Sequence, residues 1–142
     1  MTPAEPVPAL DERCGRCGAQ GRCEAGQVLL GERLQWHVWC ECPTCGATEE
    51  FGWDEPPPEV RAAILRDQGE ARLTLDRFSD GFRLPLLRVF REAGNSLDDA
   101  RRRVEEFVAD GMVGTGPEMA LYALRMRKHG LPVTVDPDLP VI

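Results

Sequence analysis

Two stretches, Cys14-Gly15-Arg16-Cys17-Gly18 and Cys42-Pro43-Thr44-Cys45-Gly46, decide the fold of the first part of this chain. Each has the form Cys-x-x-Cys-Gly, in which two sulfurs reach one metal ion and the glycine lets backbone amides turn toward the thiolates. Two such knuckles supply four soft ligands, which suit tetrahedral zinc. The 24 residues between Cys17 and Cys42 leave room for a pair of short hairpins. We therefore predict a zinc ribbon with one structural Zn2+; iron is the alternative metal for four cysteines. The predicted ligands are Cys14, Cys17, Cys42 and Cys45.

Two further cysteines, Cys23 and Cys40, stand outside the knuckles. Strand alternation places Cys40 on the same side as Cys42, so Cys40 competes with Cys42 as a ligand. We favour Cys42, because only this residue completes a knuckle with Cys45, and we expect Cys40 to be a small buried apolar residue. The sequence assigns no role to Cys23. A redox- or metal-responsive sensor that uses Cys23 and Cys40 is a further hypothesis.

The charge of the chain is concentrated in its first part. Residues 1–58 carry ten acidic residues and four arginines, and four zinc-bound thiolates would add further negative charge. Zinc ribbons that bind nucleic acid present a basic face, because phosphate contacts supply the affinity. The acidity therefore favours a basic protein partner over nucleic acid. The start of the chain has no secretory signal and no apolar run approaches the length of a membrane span, so we expect a cytoplasmic protein.

The fold class predicted from the pattern is α+β, in two parts. A flexible N-terminus (1–10) precedes the ribbon (11–55), whose strands are predicted at 27–30, 34–41 and 49–53. Aromatic side chains are expected to do much of the ribbon's packing, because little other apolar material is present. These are Trp36, Trp39, Phe51 and Trp53.

Pro56-Pro57-Pro58 ends the ribbon and is predicted to separate it from an α/β-sandwich domain at 59–136, followed by a tail at 137–142. In this domain three helices are expected to pack on a small antiparallel sheet. Ser96 is the expected cap of one helix, and Thr115 and Glu118 form a capping box at the start of another. The strand at 71–78 is expected to turn at 79–81 and return through 82–84.

The segment from about Leu84 to Val135 resembles the C-terminal domain of the bacterial ribosomal stalk protein. The matching stretches are Leu86-Leu87-Arg88-Val89-Phe90-Arg91, Gly94 through Arg101, Glu118 through Gly130, and Pro132-Val133-Thr134-Val135. In that family the first two helices form a basic face that docks translational GTPases. The resemblance places Arg88, Arg91 and Arg101 on the matching partner-binding face, and Asp98 stands where the family usually has a lysine.

An acidic ribbon joined through prolines to this small domain looks like small bacterial proteins encoded near polymorphic toxins. That resemblance implies an immunity protein, which binds and neutralises a cognate toxin. The alternative is a translation- or transcription-associated zinc-ribbon adaptor. The sequence has no Gly-x-Ser-x-Gly, no phosphate-cradling glycine-rich loop and no His-Glu-x-x-His, so we expect a protein-binding module and no enzyme.

Overall fold

The computed structural model describes residue 10 and residues 12–137, which form two compact units that divide between Gly69 and Glu70. Over these residues the chain has four α-helices and two three-stranded antiparallel sheets, which confirms the predicted α+β class. No helix within the described ranges is long and apolar enough to span a bilayer. The predicted flexible N-terminus and tail lie outside the described residues, apart from residues 10 and 137.

The first unit is built on an antiparallel meander. Its strands are β1 (Arg22–Leu30), β2 (Arg33–Cys42) and β3 (Gly46–Trp53), with β2 in the centre. All three are longer than the sequence predicts. Because side chains alternate along a strand, one face of β2 carries buried Trp36, Val38 and Cys42, and the other carries more exposed residues.

The core of the first unit is completed by a helix, α1 (Pro58–Gln68). Its buried residues Val60, Ala63 and Ile64 pack in one cluster with apolar side chains of the sheet. The sheet residues of the cluster are Cys23, Ala25, Trp36 and Val38. The predicted boundary at 56–58 is therefore wrong. The first unit continues through α1 to Gly69, because the apolar stripe of α1 packs against the first sheet.

Only one of the four aromatic residues predicted to pack the ribbon is buried. Trp36 is buried and lies directly opposite Gly52 of β3, where a Cβ atom would clash with the indole ring. Glycine at this position therefore allows the ring to lie against the neighbouring strand. Trp39, Phe51 and Trp53 are exposed, because α1 supplies the apolar material that the sequence alone assigned to them.

The second unit places helices on a small sheet whose order is β5-β4-β6, with every pair antiparallel. The strands are β4 (Glu70–Leu75), β5 (Met112–Thr115) and β6 (Val133–Asp136). The helices are α2 (Arg83–Glu92), α3 (Leu97–Asp110) and α4 (Gly116–Lys128). Three helices on an antiparallel sheet match the predicted architecture of the second part.

The core of the second unit centres on Phe90, whose ring lies 6.3 Å from that of Phe107 and 5.8 Å from that of Tyr122. Leu73 and Leu86 are fully buried in the same cluster. This unit therefore has its own apolar core, unlike the end of the first unit that carries the four knuckle cysteines.

One predicted element of the second unit is wrong. The return strand at 82–84 does not form; a short 3-10 turn, Asp80–Phe82, leads directly into α2. Pro85 lies in the first turn of this helix, where its missing N–H is not needed and its fixed φ is favourable. Leu86, Val89 and Phe90 then share the buried face of α2, so helical periodicity governs this stretch.

Both predicted helix caps are present. The Ser96 hydroxyl accepts a hydrogen bond from the Asp99 backbone N–H at 3.2 Å. In the capping box of α4, the Glu118 N–H donates to the Thr115 hydroxyl at 3.2 Å, and the Thr115 N–H donates to Glu118 Oε1 at 2.9 Å. Thr115 is fully buried, so this box links β5 to α4 inside the unit.

We expect Thr115→Ala to destabilise the second unit by more than Thr115→Ser. Both changes remove the methyl group, but only alanine also removes the hydroxyl that caps α4, which costs about 1 kcal/mol. Urea unfolding followed by the fluorescence of Tyr122, the single tyrosine, measures the difference. Equal unfolding free energies for the two variants would show that the cap contributes nothing.

Candidate metal centre and the adjoining sheet face

The structure brings the four predicted ligands together at one end of the first sheet. The sulfur atoms of Cys14, Cys17, Cys42 and Cys45 all lie within 4.8 Å of one another. Cys17 Sγ and Cys42 Sγ are 3.5 Å apart. Within the described part of the chain, no other group of three or more potential ligands is this close. Two ligands come from the loop before β1, Cys42 is the last residue of β2, and Cys45 lies in the turn between β2 and β3.

Local backbone geometry aims amide groups at the sulfurs. The Arg16 N–H donates to Cys14 Sγ at 3.4 Å, and the Cys45 N–H donates to Cys42 Sγ at the same distance. Gly18 and Gly46, which close the two knuckles, have φ of 72° and 94°, in the region that side chains disfavour. The glycines of the Cys-x-x-Cys-Gly pattern are therefore required by the turns that they make.

These amides stabilise negative charge on two of the sulfurs. Hydrogen bonds from the backbone of Arg16 and Cys17 lower the pKa of Cys14 to about 6. Hydrogen bonds from the backbone of Cys45 and Thr44 lower the pKa of Cys42. Hydrogen bonding to the Cys17 and Cys14 sulfurs instead stabilises the protonated form of Cys45 and raises its pKa to about 12. Without a cation the cluster retains a proton near neutral pH, so metal binding releases protons and strengthens as the pH rises.

The sulfur positions fit a tetrahedral metal ion. A metal–sulfur distance of about 2.3 Å corresponds to sulfur–sulfur distances of about 3.8 Å in a tetrahedron. The Cys17–Cys42 distance of 3.5 Å and the 4.8 Å limit for the whole cluster lie on either side of that value. Four cysteine ligands also complete the coordination shell, as in structural metal sites. The cluster is therefore a metal site.

Cys23 and Cys40 form a disulfide bond with each other. They lie directly opposite in the register of β1 and β2, and both contact the cluster that packs under α1. A cavity of about 290 Å³ is lined both by this pair and by Cys14, Cys42 and Cys45 of the sulfur cluster. The sequence left Cys23 without a role because the strand register, which places it against Cys40, cannot be read without the start of β1. Cys40 is consequently not a competing metal ligand.

The face of the sheet opposite the core cluster is exposed and aromatic. We call it the outer face, defined by three cross-strand pairs of β2 and β3: Gln35 with Trp53, His37 with Phe51, and Trp39 with Glu49. Phe51 is 62% exposed, Trp53 42% and Trp39 39%. Arg33 lies over the Trp53 ring at 4.6 Å and forms an ion pair with Asp54.

The second unit carries the three arginines of the predicted partner-binding face. Arg88 and Arg91 lie on α2 and Arg101 lies on α3, and all three are exposed. Arg91 donates to the Asn95 carbonyl at 3.1 Å, and Arg101 lies 3.9 Å from Asp98. Their role as a docking face remains a prediction.

Comparisons of the chain with protein-family models, with curated proteins and with solved structures gave no match. The chain is therefore not assigned to a family, and the resemblance of the second unit to the ribosomal stalk domain stays a prediction. The four-cysteine site and the outer face are the features of the first unit that bear on its function.

We expect Cys45→Ser to abolish metal binding and unfold the first unit while the second unit stays folded. Structural zinc contributes on the order of 10–16 kcal/mol in small metal-dependent domains. All three tryptophans lie in the first unit, and 37 of the 48 α-helical residues lie in the second. Tryptophan emission should therefore shift to the red while most of the helical circular dichroism remains. Elemental analysis of the reduced protein measures the metal, and Thr44→Ser, an exposed change in the same knuckle that keeps all four ligands, is the matched control.

Reduction of the disulfide should destabilise the first unit alone. Cys23 and Cys40 are 17 residues apart, and a link closing a loop of this size contributes about 3 kcal/mol in the chain-entropy description. Urea unfolding followed by tryptophan emission, with the metal retained, compares the oxidised and reduced protein. Identical midpoints, or mass spectrometry that finds six free thiols in the non-reduced protein, would contradict the bond.

Proposed function

We propose that this protein is a non-catalytic protein-binding module, stiffened by a structural zinc ion, that binds a basic partner through its outer face. The observation that carries the proposal is the exposure of Trp39, Phe51 and Trp53 on one sheet face. Aromatic residues are enriched at protein interfaces, and a cluster of exposed apolar side chains marks an interaction site more often than a solvated surface. Here the same three residues are free to contact a partner because α1 completes the core without them.

The charge around the outer face indicates the kind of partner. Glu49 belongs to this face, and Glu24, which forms an ion pair with Arg22, lies beside Trp39 on the neighbouring strand β1. The first 58 residues carry an excess of six acidic residues over arginines. Such a surface repels phosphate backbones and attracts cationic proteins, and charge complementarity speeds association.

Zinc is the metal that the donor set favours. Four thiolates in a tetrahedral arrangement select Zn2+ or an iron centre, and zinc is the usual occupant of paired Cys-x-x-Cys knuckles. A shell of four protein ligands leaves no open position for substrate, so the ion supports structure rather than chemistry. Its contribution to binding is indirect, since it fixes the turn that leads into β3.

An immunity protein that neutralises a bacterial toxin is the specific form of this function that we propose. A small acidic protein that occludes a basic toxin domain needs no catalytic group and benefits from a rigid surface. The alternative is an adaptor that docks translation factors through Arg88, Arg91 and Arg101, and the exposure of all three side chains favours it.

Co-expression with a toxin encoded beside this protein tests the proposal. We expect rescue of growth and a one-to-one complex on gel filtration. Phe51→Glu should weaken the complex at least a hundredfold, because it places a charge in the centre of an apolar contact. Arg88→Glu, an exposed change on the second unit, is the matched control and should leave binding intact. No complex with the wild-type protein, or loss of binding with Arg88→Glu only, would contradict the proposal.

A further inference from the structure

The free edge of β3 is the second feature of the first sheet that points to a partner. β3 is hydrogen-bonded to β2 on one side, and no strand or bridge among the described residues pairs with its other side. Every residue of this eight-residue strand except Gly52 is exposed. An edge of this length presents a row of backbone N–H and C=O groups that a further strand can pair with.

The other edge of the same sheet is formed by β1, and α1 contacts it. The last turn of α1 lies against β1, where the Ala25 N–H donates to Asp67 Oδ2 at 3.2 Å. At this position the edge of β1 is therefore covered by the chain itself. β3 also lacks proline, and its two charged residues, Glu49 and Glu50, oppose pairing with an acidic strand and not with a basic one. The contrast between the two edges indicates that the backbone edge of β3 is available to pair with a further strand.

The charge of β3 argues against a second copy of this chain as the occupant. The strand contains Glu49 and Glu50 and no basic residue. Antiparallel self-pairing about this acidic pair would place like charges opposite one another, which is destabilising. A basic strand instead gains two favourable cross-strand pairs, one on each face, since successive side chains point to opposite faces.

We infer that β3 accepts an extended basic segment of the partner as a fourth, antiparallel strand of the sheet. This inference rests on the proposed function, because it specifies how the partner is recognised. Antiparallel pairing continues the pattern of the existing sheet and is slightly more stable per residue than parallel pairing. Backbone hydrogen bonds supply affinity in such strand addition, and alternate side chains supply specificity.

The side chains of β3 define the segment that fits. In the antiparallel direction the incoming strand meets Trp53 first, then Phe51, and then Glu50 and Glu49. The residues of the incoming strand that pair with Trp53 and Phe51 lie on the outer face beside exposed aromatic rings. Apolar side chains are therefore favoured at these two positions of the incoming strand. Residues opposite Glu50 and Glu49 should be basic. The recognised pattern is therefore apolar, any residue, apolar, basic, basic.

Binding of a synthetic peptide with the core Val-Thr-Val-Lys-Lys tests the inference, with Val-Thr-Val-Glu-Glu as its matched control. We expect saturable binding of the lysine peptide, with protection of β3 amides from hydrogen exchange, and roughly tenfold weaker binding of the glutamate peptide. Glu49→Lys/Glu50→Lys should reverse this preference. Both acidic side chains are exposed, so the change should leave folding intact, and tryptophan emission checks this.

Two N-methylated versions of the lysine peptide separate strand pairing from side-chain docking. Methyl groups on the alternate amides that face β3 should abolish binding, while methyl groups on the amides that face solvent should not. Equal binding of both versions overturns the inference, as does failure of the lysine peptide to bind at millimolar concentration or dimerisation of the protein through β3. If the toxin complex forms and is lost with Phe51→Glu but the peptides do not behave as expected, the inference of strand addition is wrong and the proposed function stands. If no toxin complex forms, the proposed function itself is wrong.

Discussion

The cluster of four sulfur atoms is the constraint on which the first unit depends. The apolar residues of that unit gather where α1 crosses the sheet, and at the opposite end the loops that carry Cys14, Cys17, Cys42 and Cys45 are joined to one another through these sulfur atoms. A unit of about 70 residues buries only a modest fraction of its surface and is marginally stable, so such a link contributes a large share of its stability. Because two ligands precede β1, one ends β2 and one lies in the turn before β3, one ion joins the beginning of the meander to its last turn. The geometry of β3, and with it the outer face, follows from that connection.

The knuckles and the caps could be predicted because each is a local rule. Cys-x-x-Cys-Gly encodes its own turn, and the Ser96 and Thr115 caps need only neighbours three residues away. The position of α1 could not be predicted, because an apolar stripe shows that a helix face is buried without showing what covers it. The same limit explains the aromatic residues: once α1 is assigned to the first sheet, Phe51 and Trp53 are no longer needed as core. At 82–84 the sequence suggested a hairpin, yet the buried periodicity of α2 governs the segment.

The two units meet the problem of small size by different means. The second relies on a conventional core around Phe90 and Phe107 and on side-chain caps at the starts of α3 and α4. The first relies on cross-links, and this allows its sheet to keep large aromatic side chains and a whole strand edge at the surface. A sheet stabilised mainly by hydrophobic burial would have less freedom to expose them. The cross-links that stabilise the first unit are therefore what allows its sheet to keep an exposed recognition surface.

The Cys23–Cys40 bond has a consequence for how the right sulfurs are chosen. Cys40 and Cys42 point to the same side of β2, so a two-residue slip of that strand would offer the wrong thiol to the incoming ion. Bonding to Cys23 withdraws Cys40 from the competition and pins β1 against β2 at the end remote from their hairpin. A chain that oxidises this pair before loading has only four thiols left to offer. The bond thus leaves the four knuckle cysteines as the free thiols of the chain.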